Sequence, residues 1–297
     1  MRVLVTGRAG QVGAEVARAL QGFAEVIAHD RSTLDLADPD QVVARVREAR
    51  PDAIVNAAAY TAVDQAESDA ESARRVNAIG PGVLAEEARR AGAVLIHYST
   101  DYVFDGTKAA PYVETDATNP LGAYGRTKLE GERAIAASGC DHVILRTSWV
   151  YGPHGRNFLL TMLRLAAQRD ELRVVDDQRG APTSSAQLGR LTRALLAREP
   201  ALREKAGIYH ATAAGETTWR RFAEAIFDGA RRRASPAFRV PRVIPITTAE
   251  YPTPARRPAN SLLSNAKLGA AFGLAIGEWR EGLDEALSAL PLESAGR

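Results

Sequence analysis

At 297 residues, with 45% hydrophobic and 25% charged side chains, the chain has an ordinary globular composition and length for one large or two modest domains. A formal net charge of +2, with only Arg231-Arg232-Arg233 clustered, argues against a nucleic-acid partner. One cysteine, Cys140, excludes an internal disulfide framework, and no apolar run is long enough for a membrane span, so a cytoplasmic protein without a membrane partner is expected.

Arg2 to Thr6 reads as a β-strand and leads into Gly7-Arg8-Ala9-Gly10-Gln11-Val12-Gly13, after which Val12, Val16 and Leu20 recur at helical spacing. Glycines at this spacing between a strand and a helix suit a dinucleotide. Gly7 allows the tight turn, Gly10 admits a pyrophosphate, Gly13 lets the helix rest on the strand, and the helix N-terminus supplies N–H donors. The second strand, Glu25 to Ala28, ends at His29-Asp30-Arg31. Asp30, 23 residues after Gly7, stands where a carboxylate takes ribose hydroxyls, whereas Arg31 suits a 2′-phosphate; NADH and NADPH both remain open. Leu34-Asp35-Leu36 suits a loop under an adenine, and a helix starts near Asp38-Pro39. A third strand, Ala53 to Val55, runs into Asn56-Ala57-Ala58-Ala59-Tyr60-Thr61, whose small residues leave room for a flat cofactor. A polar helix is expected from Asp64 through Glu67, with Asn77 in its continuation, then a helix from Val83 to Ala91 and a buried strand at Ala93 to Ile96. This alternation predicts an α/β fold with a Rossmann-like, doubly wound parallel sheet.

Thr100 falls where that strand should end, and Tyr124 and Lys128, four residues apart, share one face of a helix. Ligands collect at the carboxyl ends of parallel strands. A hydroxyl, a phenol and an ammonium meeting there form a proton-delivery device. A free phenol has a pKa of about 10, and a nearby lysine is expected to lower it. Another strand, His142 to Arg146, ends in Thr147-Ser148-Trp149-Val150-Tyr151, whose aromatic rings are natural walls for a substrate. A helix from Asn157 to Ala167, a short strand at Gly207 to His210 and a helical stripe of Trp219, Phe222, Ala223, Ile226 and Phe227, read as core, follow. Tyr251 to Ser261 carries three prolines in a rigid loop with Arg256 and Arg257, an arrangement that suits an anion clamp. Two helical segments and a frayed end from Glu293 to Arg297 close the chain. Residues 1–150 are expected to form the dinucleotide-binding domain and 151–297 a smaller, mainly substrate-binding α/β part, some of whose segments can return to the sheet.

The glycine loop, Thr100 and the Tyr124/Lys128 pair resemble the extended short-chain dehydrogenase/reductase family. The runs Ser99 to Gly106, Arg146 to Tyr151, Gly180-Ala181-Pro182-Thr183 and Arg257-Pro258-Ala259-Asn260-Ser261 carry the likeness to its branch that reduces dTDP-linked 4-keto-6-deoxysugars. The resemblance implies an NAD(P)H-dependent oxidoreductase with Thr100, Tyr124 and Lys128 as the catalytic trio. Gly10, Gln11 and Val12 would hold the diphosphate, Asp30, Asp35 and Leu36 the adenosine end, and Ala58, Ala59, Tyr60, Thr61 and Tyr98 the middle of the cofactor. Thr100, Asp101, Tyr102, Trp149 and Arg257 would line the sugar-nucleotide side. Some relatives are Mg-linked dimers with carboxylate ligands, but Ser184-Ser185-Ala186-Gln187-Leu188 here holds no acid, so no metal is assigned and a monomer or homodimer is expected. A 4,6-dehydratase would need an acid/base carboxylate after Asp101, where this chain has Tyr102. A non-catalytic regulatory subunit would be expected to lack part of the trio.

Overall fold

The computed structural model describes residues 1–233 and 238–291; the frayed end expected from Glu293 to Arg297 lies outside them. Four strand–helix units and a fifth strand build the centre in chain order: β1 (Arg2–Thr6), α1 (Gln11–Ala19), β2 (Glu25–His29), α2 (Pro39–Ala49), β3 (Ala53–Asn56), α3 (Ala70–Arg74), α4 (Gly80–Ala91), β4 (Val94–Thr100), α5 (Ala123–Ser138) and β5 (His142–Thr147). The strand Gly207–His210 from the second half pairs in parallel with β5. The six-stranded order is therefore Gly207–His210, β5, β4, β3, β1, β2, a doubly wound sheet. The later half also supplies α6 (Phe158–Ala166), α7 (Ser185–Leu196), the helix Trp219–Arg233, and a parallel pair of Glu171–Val175 with Arg242–Ile246.

Strand periodicity sorts the core into two layers. Val3, Val5, Val55, Ile96 and Leu145 pack with Val16 of α1 and Leu188 of α7. Leu4, Ile54, Leu95 and Ile144 pack with Val42 of α2, Leu84 of α4 and Ile135 of α5. Both faces are covered, which is why the strands read as continuous apolar runs.

The helix expected from Asp64 onward is three pieces. A single turn at Gln65–Glu67 precedes α3, and a wide π-type turn, Arg75–Ile79, connects α3 to α4. Such insertions concentrate at functional sites, and this one places Asn77 against the loop that follows β3. The segment Ser184 to Leu188 opens α7, where Ser184 and Gln187 form a reciprocal capping box.

Candidate active site

The glycine loop is a tight turn between β1 and α1 that rests on the end of β3. Gly7 has φ +73, and a Cβ there would sit 2.8 Å from the backbone of Ala58, so loop and β3 terminus touch. Gly13 packs onto the same turn, 2.1 Å from the Gly7 carbonyl to a notional Cβ. Gly10 is the N-cap of α1, which begins with Gln11 and Val12, and neither a side-chain cap nor an acidic residue occupies its first turn. An uncapped helix end behind a glycine turn fits an anionic dinucleotide. At the end of β2 the Asp30 carboxylate accepts from the Ser32 N–H at 2.9 Å, and these Ser32 contacts hold its pKa below the ordinary value. Arg31 is largely exposed and pairs with Asp35 at 3.2 Å. Asp35 also accepts from the Ala37 N–H, and Leu36 is buried against the start of α4. Tyr60 is clamped by Asn77, whose Oδ1 takes the Tyr60 N–H at 2.8 Å and whose Nδ2 donates to the Tyr60 carbonyl and the Thr127 hydroxyl. Ala59 and Thr61 flank it in that loop.

Tyr98 differs from the expectation. It lies on the sheet face opposite α5, and its hydroxyl donates to the Leu188 carbonyl of α7 at 3.2 Å. Its backbone carbonyl, not its ring, joins the site by accepting from the Lys128 ammonium at 2.7 Å.

The helix α5 carries Tyr124 and Lys128. Its N-cap is Gly122, which brings no side chain, and Glu67 caps instead by accepting the Ala123 N–H at 2.7 Å. Gly125 brings the helix onto the turn after β4; a Cβ there would lie 2.2 Å from the Tyr102 carbonyl oxygen. Tyr124 thereby meets Tyr102 edge to face at 5.5 Å, beside Thr100 at the end of β4. The expected lowering of the phenol is not what the structure shows. Burial raises the Tyr124 pKa above its ordinary value, and the Thr100 hydroxyl only partly opposes this. Lys128 is 1% exposed, with Nζ 3.1 Å from His97 Nε2, and burial brings its pKa down to about 8. Thr100 accepts from the Tyr102 N–H and donates to Asp101 Oδ1 at 3.1 Å. Burial pushes Asp101 up to about 6, and its Oδ2 has no partner among the described residues.

On the facing side, Arg257 Nη2 donates to Asp64 Oδ2 at 2.8 Å, while Nη1 is buried without a partner. Arg256 is exposed, so one of the two loop arginines faces inward. Trp149 adopts a left-handed backbone, φ 48, and stacks on Trp219 at 3.7 Å. Trp219, expected in the core, is half-buried, packing against the core on one side and stacking on Trp149 on the other.

Sequence reasoning passed over several polar groups. Ser99 and Arg146 both donate to Glu132, with Arg146 Nε and Nη2 at 2.9 and 2.6 Å, in a nearly dry pair one turn beyond Lys128. Thr6, Asn56 and His97 are register partners on three adjacent strands. The signal was there: each is a polar residue within or ending an apolar strand, where a partner is required.

A family model described as RmlD substrate binding domain matches residues 1–291. Over 289 residues the chain is 50% identical to a dTDP-4-dehydrorhamnose reductase of Burkholderia thailandensis, covering 94% of this chain and 96% of that protein. The structure of a dTDP-4-dehydrorhamnose reductase from Clostridium acetobutylicum aligns with TM-score 0.90 at 40% identity, covering 97% of this chain and 99% of that one. A Bacillus anthracis dTDP-4-dehydrorhamnose reductase in complex with NADP gives TM-score 0.90 at 35% identity, with 97% and 98% covered. The glycine loop and the α5 pair thus sit in a chain that matches such reductases almost end to end, and it belongs to the RmlD substrate binding domain family.

Proposed function

We propose that this NAD(P)H-dependent oxidoreductase reduces the C4 ketone of dTDP-4-dehydro-β-L-rhamnose to dTDP-β-L-rhamnose, a step of deoxysugar-nucleotide synthesis for cell-surface polysaccharide. The observation that carries the reading is the meeting of Thr100, Tyr124 and buried Lys128 at the carboxyl end of β4, in a chain half-identical to such a reductase. Gly7, Gly10, Gln11, Val12 and Gly13 would hold the cofactor diphosphate. Asp30, Arg31, Asp35 and Leu36 would hold its adenosine end, and Ala58 to Thr61 with Lys128 its nicotinamide ribose. The bound cofactor supplies a hydride to C4.

Tyr124 gives its phenolic proton to the C4 oxygen as the alkoxide forms. A phenol held above its ordinary pKa is fully protonated at neutral pH, which suits an acid. Thr100 orients the same oxygen, and Asp101, Tyr102 and Trp149 line the sugar. Arg257 would exchange Asp64 for the substrate diphosphate, with its unpartnered Nη1 as a second donor.

Elimination by a dehydratase mechanism is disfavoured by Tyr102. Burial and the neighbouring Asp101 push its phenol up to about 12, so it is no base at neutral pH. The test is to supply the dTDP-4-keto sugar with NADPH or NADH, follow cofactor oxidation and identify the product. A product other than dTDP-L-rhamnose would redirect the reading to a related dTDP-4-keto-6-deoxysugar. Nucleotide binding without turnover would leave a regulatory subunit.

A further inference from the structure

The polar residues on β1, β3 and β4 form a continuous buried chain. The Ala58 N–H donates to Thr6 Oγ1 at 3.3 Å, the Thr6 hydroxyl to Asn56 Oδ1 at 2.6 Å, and Asn56 Nδ2 contacts His97 Nδ1 at 2.9 Å. On the other side of the ring, Nε2 stands 3.1 Å from Lys128 Nζ. Thr6, Asn56 and His97 are at most 1% exposed, so bulk solvent does not reach them. The register explains the alignment: Thr6 pairs with Asn56 and Asn56 with His97, all on the α5 face of the sheet.

The chain has a direction because its first member is a backbone N–H, which only donates. Thr6 Oγ1 accepts there and spends its own hydrogen on Asn56 Oδ1. The Asn56 amide then presents its NH₂ to His97 Nδ1. A neutral imidazole that accepts at Nδ1 carries its proton on Nε2, aimed at Nζ. Reversing the chain would leave the Thr6 hydroxyl hydrogen without an acceptor among the described residues.

We infer that His97 is a positioning residue of the reaction: it ends this one-way chain by donating Nε2–H to the lone pair of Lys128, so that the buried lysine is held ready as an amine while Tyr98 O receives one of its own hydrogens. Other charges facing the pair fit that role. Glu132, one turn on along α5, favours the ammonium but is itself occupied by Arg146 of β5 and Ser99 of β4. His142 at the start of β5 and Lys128 itself both keep His97 neutral, added to the larger effect of burial. Tyr124, on the preceding turn of α5, is an uncharged phenol. Burial brings Lys128 to a pKa of about 8, so the lysine exchanges between ammonium and amine close to physiological pH. The polar chain also links it to the backbone of Ala58, which touches the glycine loop.

The inference rests on Lys128 acting in the catalytic set, but its first test does not need activity. In protein labelled with ¹⁵N at histidine, long-range proton–nitrogen spectra of the free enzyme at about pH 9, where Lys128 is mostly the amine, should show His97 with a bare Nδ1 and a protonated Nε2. A proton on Nδ1 would overturn the chain's direction and the proposal with it. In the reductase assay, His97→Phe keeps the ring volume and removes the N–H dipole facing Nζ. The alkaline limb of kcat/KM, which reports free-enzyme groups, should then move up by about one pH unit. A downward move would mean that Nε2 had been accepting from an ammonium, and no move would make His97 mere packing; either result refutes the proposal. Thr6→Val removes the head of the chain with little change of shape. It should loosen the tautomer preference and give a smaller upward move, and it keeps the test open should His97→Phe not fold.

Discussion

Replacing Lys128 by Met should change how stability responds to pH, because the lysine titrates while buried in the native state. Burial lowers its pKa from 10.5 to about 8. Between those two values the unfolded chain binds a proton that the native protein has lost, so native stability rises with pH across that window. Below about pH 8 the ammonium is carried at a cost of about 3 kcal/mol, the separation of the two pKa values taken at about 1.36 kcal/mol per pH unit. Methionine fills similar space and does not titrate. The variant also loses the hydrogen bonds to Tyr98 O and His97, so its absolute stability at one pH is a balance of opposed contributions. The difference between the two proteins across pH is free of that offset. From about pH 7 to about pH 10 wild type should gain about 2–3 kcal/mol on Lys128→Met. Urea unfolding at a series of pH values, with equal m-values as the control, measures it. Parallel stability curves would place the folded pKa of Lys128 near the free value and refute the burial argument.

Tyr124→Phe removes one oxygen and keeps the ring against Tyr102, so kcat should fall by roughly 10²–10⁴-fold with KM little changed. Retention of more than about a tenth of kcat, with a deuteride isotope effect showing that chemistry limits the rate, would exclude it as the acid. Glu132→Ala leaves the Arg146 guanidinium buried without its carboxylate and should cost about 3–5 kcal/mol, whereas the double change Glu132→Met with Arg146→Met should recover most of it; a double-mutant cycle by urea unfolding decides, and additive losses would contradict the pairing. Arg31→Ala should weaken NADPH by about 1–3 kcal/mol and spare NADH if the exposed guanidinium swings from Asp35 to the 2′-phosphate. Equal changes in KM for both cofactors would leave Arg31 a surface residue.

The sheet was legible because each parallel strand is buried on both faces and so appears as an apolar run, Val3 to Val5, Ile54 to Val55, Val94 to Ile96, with helical periodicity between them. The glycine loop was legible for a related reason: the close contact of Gly7 with Ala58 leaves no room for a side chain, so sequence spacing directly records geometry. The Gln65 to Ile79 region was not legible. Its three short pieces keep helical composition while the hydrogen-bond pattern changes under them, and nothing in the residue types marks a wide turn. Tyr98 was assigned to the cofactor although strand alternation puts its ring on the α7 face. Parity counted from Leu95 gives that face, since Leu95 packs with α5 and Tyr98 is three residues on.

The lysine–phenol relation shows why chemistry is harder to read than fold. Sequence spacing put Tyr124 and Lys128 on one helical face and suggested that the ammonium would act on the phenol. Two side chains a turn apart share a face, yet each answers first to what lies opposite it on the sheet. Opposite Lys128 are the Tyr98 carbonyl and His97; opposite Tyr124 are Tyr102 and the Thr100 turn. The lysine is drawn to the sheet, and the phenol, buried beside Asp101 and Tyr102, stays protonated. The lysine's partners come from β4, roughly thirty residues earlier, brought to it by the packing of α5 on the sheet, which no local pattern encodes. The outcome suits a reductase better than the simpler expectation would. An acid that must protonate an alkoxide has to begin turnover with its proton, and a phenol shifted down to neutral pH would have lost it half the time.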